Sequence, residues 1–552
     1  MQRDLQRLAN ESFDLCILGG GINGLATALD ATQRGLKVAL VEMGDFGGET
    51  SAGSLKILHG GLRYLQHLDF SRMAESVRER NALMRMAPHL VDPLGFLVPT
   101  TPGLMTGKAA MRVALMVNDV VSWKRNRGVS DPKLHLPAGR IVSVDELKER
   151  VPSLPMRGVT GAALFYDAHM RNSDRFTLAF ALSAVKGGAA LANRVRGVEF
   201  VMSGSKIEAL KVRDVESDRE FGIRAKQFAA MTGPWRDLLP ELFPGRQSKR
   251  EVVKNAGVQL VTRRGVCADT GLAIPGGEPD PEAHLQRGGR HYFSTPWQGH
   301  MLWGTRDSEY RGAPEEWRIR DGDIEEFISE INRGLPGFNL KREDVTMAFG
   351  GLRMVNAENL KSGSKVARRY AIMDHQTDLR VSNLISMDGI KYTACRIMAE
   401  KATDRVLEKL AVPPAACRTA ESVLEGGVFG IREELQAEIR AGVPADWPDA
   451  TVTLLAESYG ACWQAVVESD ESAGRLLPDG KTPECMVIHA LQHEMALHLE
   501  DVVLRRTPLG TQGEPSAEVL NRVVEIMTEA LSWSAATGAF EKANLLRAYR
   551  YD

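Results

Sequence analysis

Phe13 to Glu42 reads FDLCILGGGINGLATALDATQRGLKVALVE, and Thr50 to Leu65, just beyond it, reads TSAGSLKILHGGLRYL. The first stretch decides the fold. Phe13 to Leu18 is apolar and of strand length, and it runs into Gly19-Gly20-Gly21-Ile22-Asn23-Gly24. Gly19 permits the tight turn, Gly21 lets a pyrophosphate approach the backbone, and Gly24 lets the next helix lie close on the strand. Leu25 to Arg34 carries that helix, Gly35 stops it, and Leu36 to Val41 is a second buried strand. Glu42 closes the second strand 18 residues after Gly24, where an acid accepts the ribose hydroxyls of a dinucleotide. Phosphates would sit at the helix N-terminus, where free N–H groups and the helix dipole favour anions. Strand, glycines, helix, strand and acid follow in the order of a Rossmann-like unit, which places the chain in the α/β class.

Outward from this unit, 552 residues provide for roughly three or four domains with a substantial core. Hydrophobic content of 43% and charged content of 25% are those of a globular protein. Basic and acidic residues nearly cancel, 69 against 71, which leaves no electrostatic footprint for nucleic acid. Cys16, Cys267, Cys395, Cys417, Cys462 and Cys485 are scattered without a CxxC pair, a pattern of free thiols in a reducing compartment. Met1 to Ser12 is polar and leads straight into the first strand, so the expected location is cytoplasmic, without a secretory leader. No run of 18 apolar residues provides a spanning helix. Lys108 to Trp123, KAAMRVALMVNDVVSW, is the one stretch that keeps a peripheral membrane contact in play. Burial against a neighbouring domain is the preferred reading of it.

The nucleotide-binding domain is expected to be discontinuous, built from residues 1–100, 160–244 and 345–410, with 101–159 as a helical and loop insertion. Arg72 to Met86 reads as a helix ended by Pro88, and Ser143 to Glu146 as a capping-box start. Gln227 to Met231 reads as a buried strand ending in Thr232-Gly233-Pro234-Trp235. Residues 245–344 read as an antiparallel substrate or cap domain with strands at Val252–Thr262, Arg290–Trp297 and His300–Gly304 and a long Gly/Pro loop over 263–289. Residues 415–552 form a C-terminal helical domain, with helices at Arg432–Ala441, Thr451–Tyr459, Pro483–Arg506 and Ala517–Ser534.

Eight stretches carry a resemblance that runs from one end of the chain to the other. They are GGGINGLATALDATQRGLKVALVE, LKILHGGLRYL, RMAPHLVDPLGFLVP, TGPW, WGTRDSEYRG, GGLRMV, DGIKYTACR and HALQHEMALHLEDVVLRRT. The chain resembles the FAD-dependent glycerol-3-phosphate dehydrogenases. The resemblance implies FAD held by Gly19, Gly21, Asn23, Gly24, Glu42, Thr50, Ser51, Ser54, Lys56, Gly60, Thr232, Gly233, Gly389 and Thr393. It implies hydride transfer from a phosphorylated or other anionic secondary alcohol to the flavin, and onward transfer to a quinone or, in oxidase members, to oxygen. Arg353 and Arg368 fall where the family holds substrate phosphate, and Lys391 where it places a lysine near the reacting hydroxyl. Lys56 and His59 lie in the loop packed over the flavin. Lys391, His59 and Arg353 are therefore the expected catalytic residues, with Lys391 or His59 as base. Lys56 and Arg306 join the expected substrate set. A homodimer is a further expectation for partners.

The departures are as specific as the matches. The family's K-G-S-H run reads Lys254-Asn255-Ala256-Gly257, so a histidine is replaced by glycine. GVRP reads Gly351-Leu352-Arg353-Met354, GGK reads Gly389-Ile390-Lys391, SSK reads Ser54-Leu55-Lys56, and GTTD reads Gly304-Thr305-Arg306-Asp307. Gly257 would open space and Arg306 would add charge, which suggests a larger anionic substrate; neutral drift in a working dehydrogenase is the competing reading. Two further readings are an oxidase of the same fold and a flavin-bearing partner protein without turnover. His489, His493, Glu494 and His498 superficially suggest a metal site, but the spacing is HExxxH and no third ligand is evident, so no metal is expected.

Overall fold

The computed structural model describes residues 1–247, 253–275, 291–355, 370–389, 391–470 and 474–552. Two large sheets and a C-terminal set of helices make up the molecule. The first sheet is built on parallel strands in the order Leu384–Asp388, Glu220–Ala230, Ser12–Leu18, Val38–Val41 and Ala190–Ala192. Val38–Val41, Ala190–Ala192 and Leu384–Asp388 are short and buried on both faces, as are the last residues of Ser12–Leu18 and Glu220–Ala230, as a parallel sheet covered by helices requires. Ile22–Gln33, Ser173–Lys186 and Cys395–Leu410 supply helical cover. A hairpin, Val195–Ser203 with Lys206–Asp214, extends the sheet antiparallel to Glu220–Ala230.

The second sheet runs Val345–Met354, Lys254–Thr262, His300–Tyr310, His291–Trp297, Thr270–Pro275, Val91–Thr100, Gly161–Met170 and Ile57–Leu58. All its neighbours on this path are antiparallel except Thr270–Pro275 on Val91–Thr100. Val91–Thr100, Gly161–Met170 and Val345–Met354, expected within the nucleotide-binding pieces, pair in this second sheet. An apolar run announces a strand but not its partner, and the pairing of Val91 with Met170 through to Thr100 with Gly161 is set by contacts far along the chain. The expected loop over 263–289 also contains a strand, Thr270–Pro275.

Lys108–Val121 is helical, with Met111 and Leu115 packed inward. Its other face is exposed: Val113, Met116 and Val120 (72%) stand in solvent with Trp123 (73%). The expected burial is therefore true of one face only. In the C-terminal part, the single helix expected over Pro483–Arg506 is two pieces, Glu484–His493 and a π-helical turn at Asp501–Arg506. Met495 takes a positive φ of 54° between them, and Glu494 turns inward to Arg175. A further helix, Ala535–Arg547, follows Ala517–Leu531. Among the described residues, no helix is long and apolar enough to cross a membrane.

Candidate active site

The glycine turn at the end of Ser12–Leu18 is shaped by close approach. A Cβ on Gly24 would lie 1.9 Å from the Gly19 carbonyl oxygen, and one on Gly19, whose φ is +105°, would lie 2.5 Å from the Met231 carbonyl oxygen. Only glycine fits either position. The turn opens into a cavity of about 750 Å3 that begins at Gly19, Gly21 and Asn23 and continues along Glu42, Thr50, Ser51 and Ser54 to the second sheet. Glu42 is fixed by backbone: its Oε2 accepts from Gly20 N at 2.6 Å and its Oε1 from Gly44 N at 2.8 Å. Burial pushes its carboxyl above the usual range. Lone pairs remain on both oxygens for a ribose. Asn23 Oδ1, Thr232 Oγ1 and Asp388 Oδ1 are buried without a partner in residues that line the cavity. Buried polar atoms are normally paired, so an elongated polar ligand such as a dinucleotide fits this cradle.

The far wall of the cavity is the second sheet. Asn255 stands opposite Arg353, and Gly257 lies between Gly351 and Asp307. Arg353 pairs with Asp307 and with Asn255 Oδ1. A Cβ at Gly257 would lie 2.9 Å from Thr305 Cγ2 and 3.2 Å from an Arg353 guanidinium nitrogen. The expected widening at Gly257 is thus corrected: Thr305 and Arg353 already crowd the place of a side chain. Lys391 also lines the cavity; its Nζ lies 4.0 Å from the centre of the Tyr64 ring, with the Arg72 guanidinium 4.6 Å from the same ring. His59 lines the cavity beside them, and its N–H donates to Thr393 Oγ1 at 3.1 Å.

Most of the expected site residues therefore meet in one cavity: Gly19, Gly21, Asn23, Glu42, Thr50, Ser51, Ser54, His59, Thr232, Gly233, Arg353, Gly389, Lys391 and Thr393. Gly24 serves by packing, as its spacing implied. Three residues go elsewhere. Lys56 turns away from the cavity into the core, where its Nζ donates to Ser173 Oγ at 2.8 Å and lies 3.9 Å from Asp174 between the Trp297 and Phe349 rings. Burial lowers its pKa. Arg306 follows strand alternation: Asp307 faces the cavity, so Arg306 points to the helix Asp321–Gly334 and pairs with Asp323, Glu326 and Glu330. Gly60 donates its N–H to Asp167 Oδ1 at 2.6 Å, against the buried Arg80–Asp167 pair, and Gly61 lines the cavity instead. Arg368 and Ile390 lie outside the described residues.

Sequence reasoning missed Tyr64, Arg72, Asp307 and Gln259, all of which line the cavity. Period-two alternation from Gly257 would have found Gln259, because both face the same way. The histidine cluster is structural. His489 Nδ1 is 2.8 Å from Ser469 Oγ, Glu494 holds Arg175 with both oxygens at 2.7 Å, and His498 sits between Glu216 and Glu541. Among the described residues, no His, Cys, Asp or Glu group is arranged to hold a metal ion.

A glycine turn that fits a dinucleotide at the end of a parallel sheet, opening onto a wall of antiparallel strands, is the arrangement of a two-sheet nucleotide-binding protein. Comparison with known proteins narrows this. The model of the FAD dependent oxidoreductase family matches residues 14–394, and that of the C-terminal domain of alpha-glycerophosphate oxidase matches residues 417–538. The glycerol-3-phosphate dehydrogenase of Synechocystis is 29% identical over 96% of this chain and 95% of its own length. The aerobic glycerol-3-phosphate dehydrogenase of Bacillus subtilis is 30% identical over 92% of this chain and 89% of its own. In fold, the chain matches the glycerol-3-phosphate dehydrogenase from Bacillus halodurans complexed with FAD, at a TM-score of 0.75 and 23% identity over 98% and 95% of the two chains. The chain belongs to the FAD-dependent oxidoreductase family, as a divergent member of its glycerol-3-phosphate dehydrogenase type.

Proposed function

We propose that the protein oxidises the carbinol carbon of glycerol 3-phosphate or a closely related anionic secondary alcohol. The observation behind this reading is the convergence of Arg353, Lys391 and His59 on a cavity continuous with the glycine cradle. Bound FAD supplies the hydride acceptor, the flavin N5. The chain does the rest. Arg353 is a fixed, permanently charged fork suited to a phosphate monoester, and Asp307 and Asn255 hold its guanidinium in place. Lys391, set against the Tyr64 face, or His59 takes the hydroxyl proton. Phe165 and Phe293 add apolar wall that excludes water and strengthens each charge interaction.

The electron acceptor in this reading is a quinone. From the substrate wall the cavity continues along Leu62, Val98, Met111, Phe165 and Phe293. Met111 belongs to the helix Lys108–Val121, whose outer face is apolar and exposed. That helix suits a peripheral contact with a lipid surface, where a quinone would be available.

An oxygen-using oxidase of the same fold is the second reading, and the match of residues 417–538 to the alpha-glycerophosphate oxidase C-terminal domain supports it. Turnover of glycerol 3-phosphate with a soluble quinone analogue, set beside peroxide release in air, tests both. Quinone reduction with little peroxide is the expected result. Peroxide formed in step with substrate loss would favour the oxidase, and no oxidation with either acceptor would overturn the proposal.

A further inference from the structure

The segment Asp45 to Ser51 touches all three parts of the molecule. Gly47 N donates to Gly20 O at 3.0 Å, inside the glycine turn. Ser51 Oγ accepts from Ile22 N at 3.0 Å, at the first residue of the cofactor helix. Thr50 Oγ1 donates to Leu352 O at 2.8 Å, in the second sheet. The remaining anchor is the C-terminal domain. The buried Asp45 carboxylate accepts from Arg505 Nε at 2.6 Å, from Arg506 Nη1 and Nη2 at 2.6 and 2.8 Å, and from Asn193 Nδ2 at 2.9 Å. The two arginines hold its carboxyl well below the usual range. Their own positions are fixed in turn. Arg506 donates to the Glu494 carbonyl at 3.1 and 3.0 Å, and Arg505 pairs with Glu500 at 3.0 Å and with Asp501.

A Cβ on Gly48 would lie 3.8 Å from both the guanidinium carbon and a terminal nitrogen of Arg505. The arginine thus stands directly against backbone that lines the cofactor cavity. Buried ion pairs are weak sources of stability, because desolvation offsets most of the attraction. What four converging donors fix well is position.

We propose that Arg505 and Arg506 are positioning residues of the FAD site. They act through Asp45 on the segment Asp45 to Ser51, so the C-terminal domain sets how tightly the cofactor is held. Lysine keeps the charge but lacks the fork, so Arg505→Lys and Arg506→Lys separate position from charge. Asp45→Asn removes the shared carboxylate. Arg522→Lys, within a C-terminal pairing to Glu484 and Glu525, is the control for general weakening of that domain.

The test follows FAD release from diluted holoenzyme by fluorescence, with the visible circular dichroism of bound flavin and the far-ultraviolet signal recorded in parallel. Release about 10-fold faster in the Arg505, Arg506 and Asp45 variants is expected, the loss of one charge-assisted bond. The visible signal changes while the far-ultraviolet signal does not. Arg522→Lys leaves release unchanged, and Asp45→Asn combined with Arg506→Lys is no faster than the worse single variant. Wild-type release in the three folded variants would overturn the proposal. So would release that rises equally in Arg522→Lys, since that would mean general loosening.

Discussion

At the scale of single residues, the glycine turn and the second-sheet wall of the cavity make separate demands. Gly24→Ala places a methyl 1.9 Å from the Gly19 carbonyl oxygen, so the strand-to-helix turn cannot close. The expected outcome is protein purified without yellow colour, read as the ratio of flavin to protein absorbance. Arg353→Met removes the guanidinium from a cavity that still holds its flavin. Loss of a charge-assisted contact is worth about 1.5–3 kcal/mol, so half-saturation by glycerol 3-phosphate should rise about 10- to 100-fold, with flavin content unchanged. Gly24 was legible in the sequence because it acts on the Gly19 backbone, five residues back. Lys56 and Arg306 were not, because a cation's destination depends on partners that spacing does not reveal. For Lys56 those partners are Ser173 and Asp174, and for Arg306 they lie on the helix Asp321–Gly334.

At the scale of elements, the helix Lys108–Val121 carries the membrane-contact proposal on one face. Met116→Glu with Val120→Glu changes only exposed side chains. It should abolish co-flotation with anionic lipid vesicles while leaving turnover with a water-soluble dye intact. Its amphipathic spacing was legible; which face stayed bare depended on Met111 and Leu115 meeting the second sheet's satellite core. The break between Glu484–His493 and Asp501–Arg506 gives a second test. It exposes His498 to Glu216 on one side and Glu541 on the other, at 3.0 and 2.9 Å, and these hydrogen bonds raise its pKa to about 10. An unfolded histidine titrates at about 6.5. The folded value is the higher one, so the stabilisation is complete below about pH 6.5 and is lost as pH rises through the folded value. His498→Gln should therefore lower the melting temperature clearly near pH 6 and converge with the wild type above the folded pKa. An equal deficit at both ends would contradict the assignment. No helix-period pattern marked this break, because Glu494 leaves the helix to meet Arg175, far back in the chain.

At the scale of the whole molecule, the two-sheet architecture and its helical appendix were readable from motif order and from the change in periodicity along the chain. The division of strands between the sheets was not. Gly161–Met170 lies between two segments of the first sheet in sequence and pairs in the second. The cavity lies between the sheets, with Gly19, Gly21 and Thr232 at the end of the first and Arg353 on the second, so the proposed chemistry depends on their being held together. The central claim is that this cavity brings an anionic secondary alcohol to the bound FAD. The most direct test is to mix the purified holoenzyme anaerobically with glycerol 3-phosphate and follow the flavin absorbance. Rapid bleaching that saturates with substrate is the expected result. A flavin that stays oxidised with this substrate, yet is reduced by dithionite, would contradict the claim for glycerol 3-phosphate.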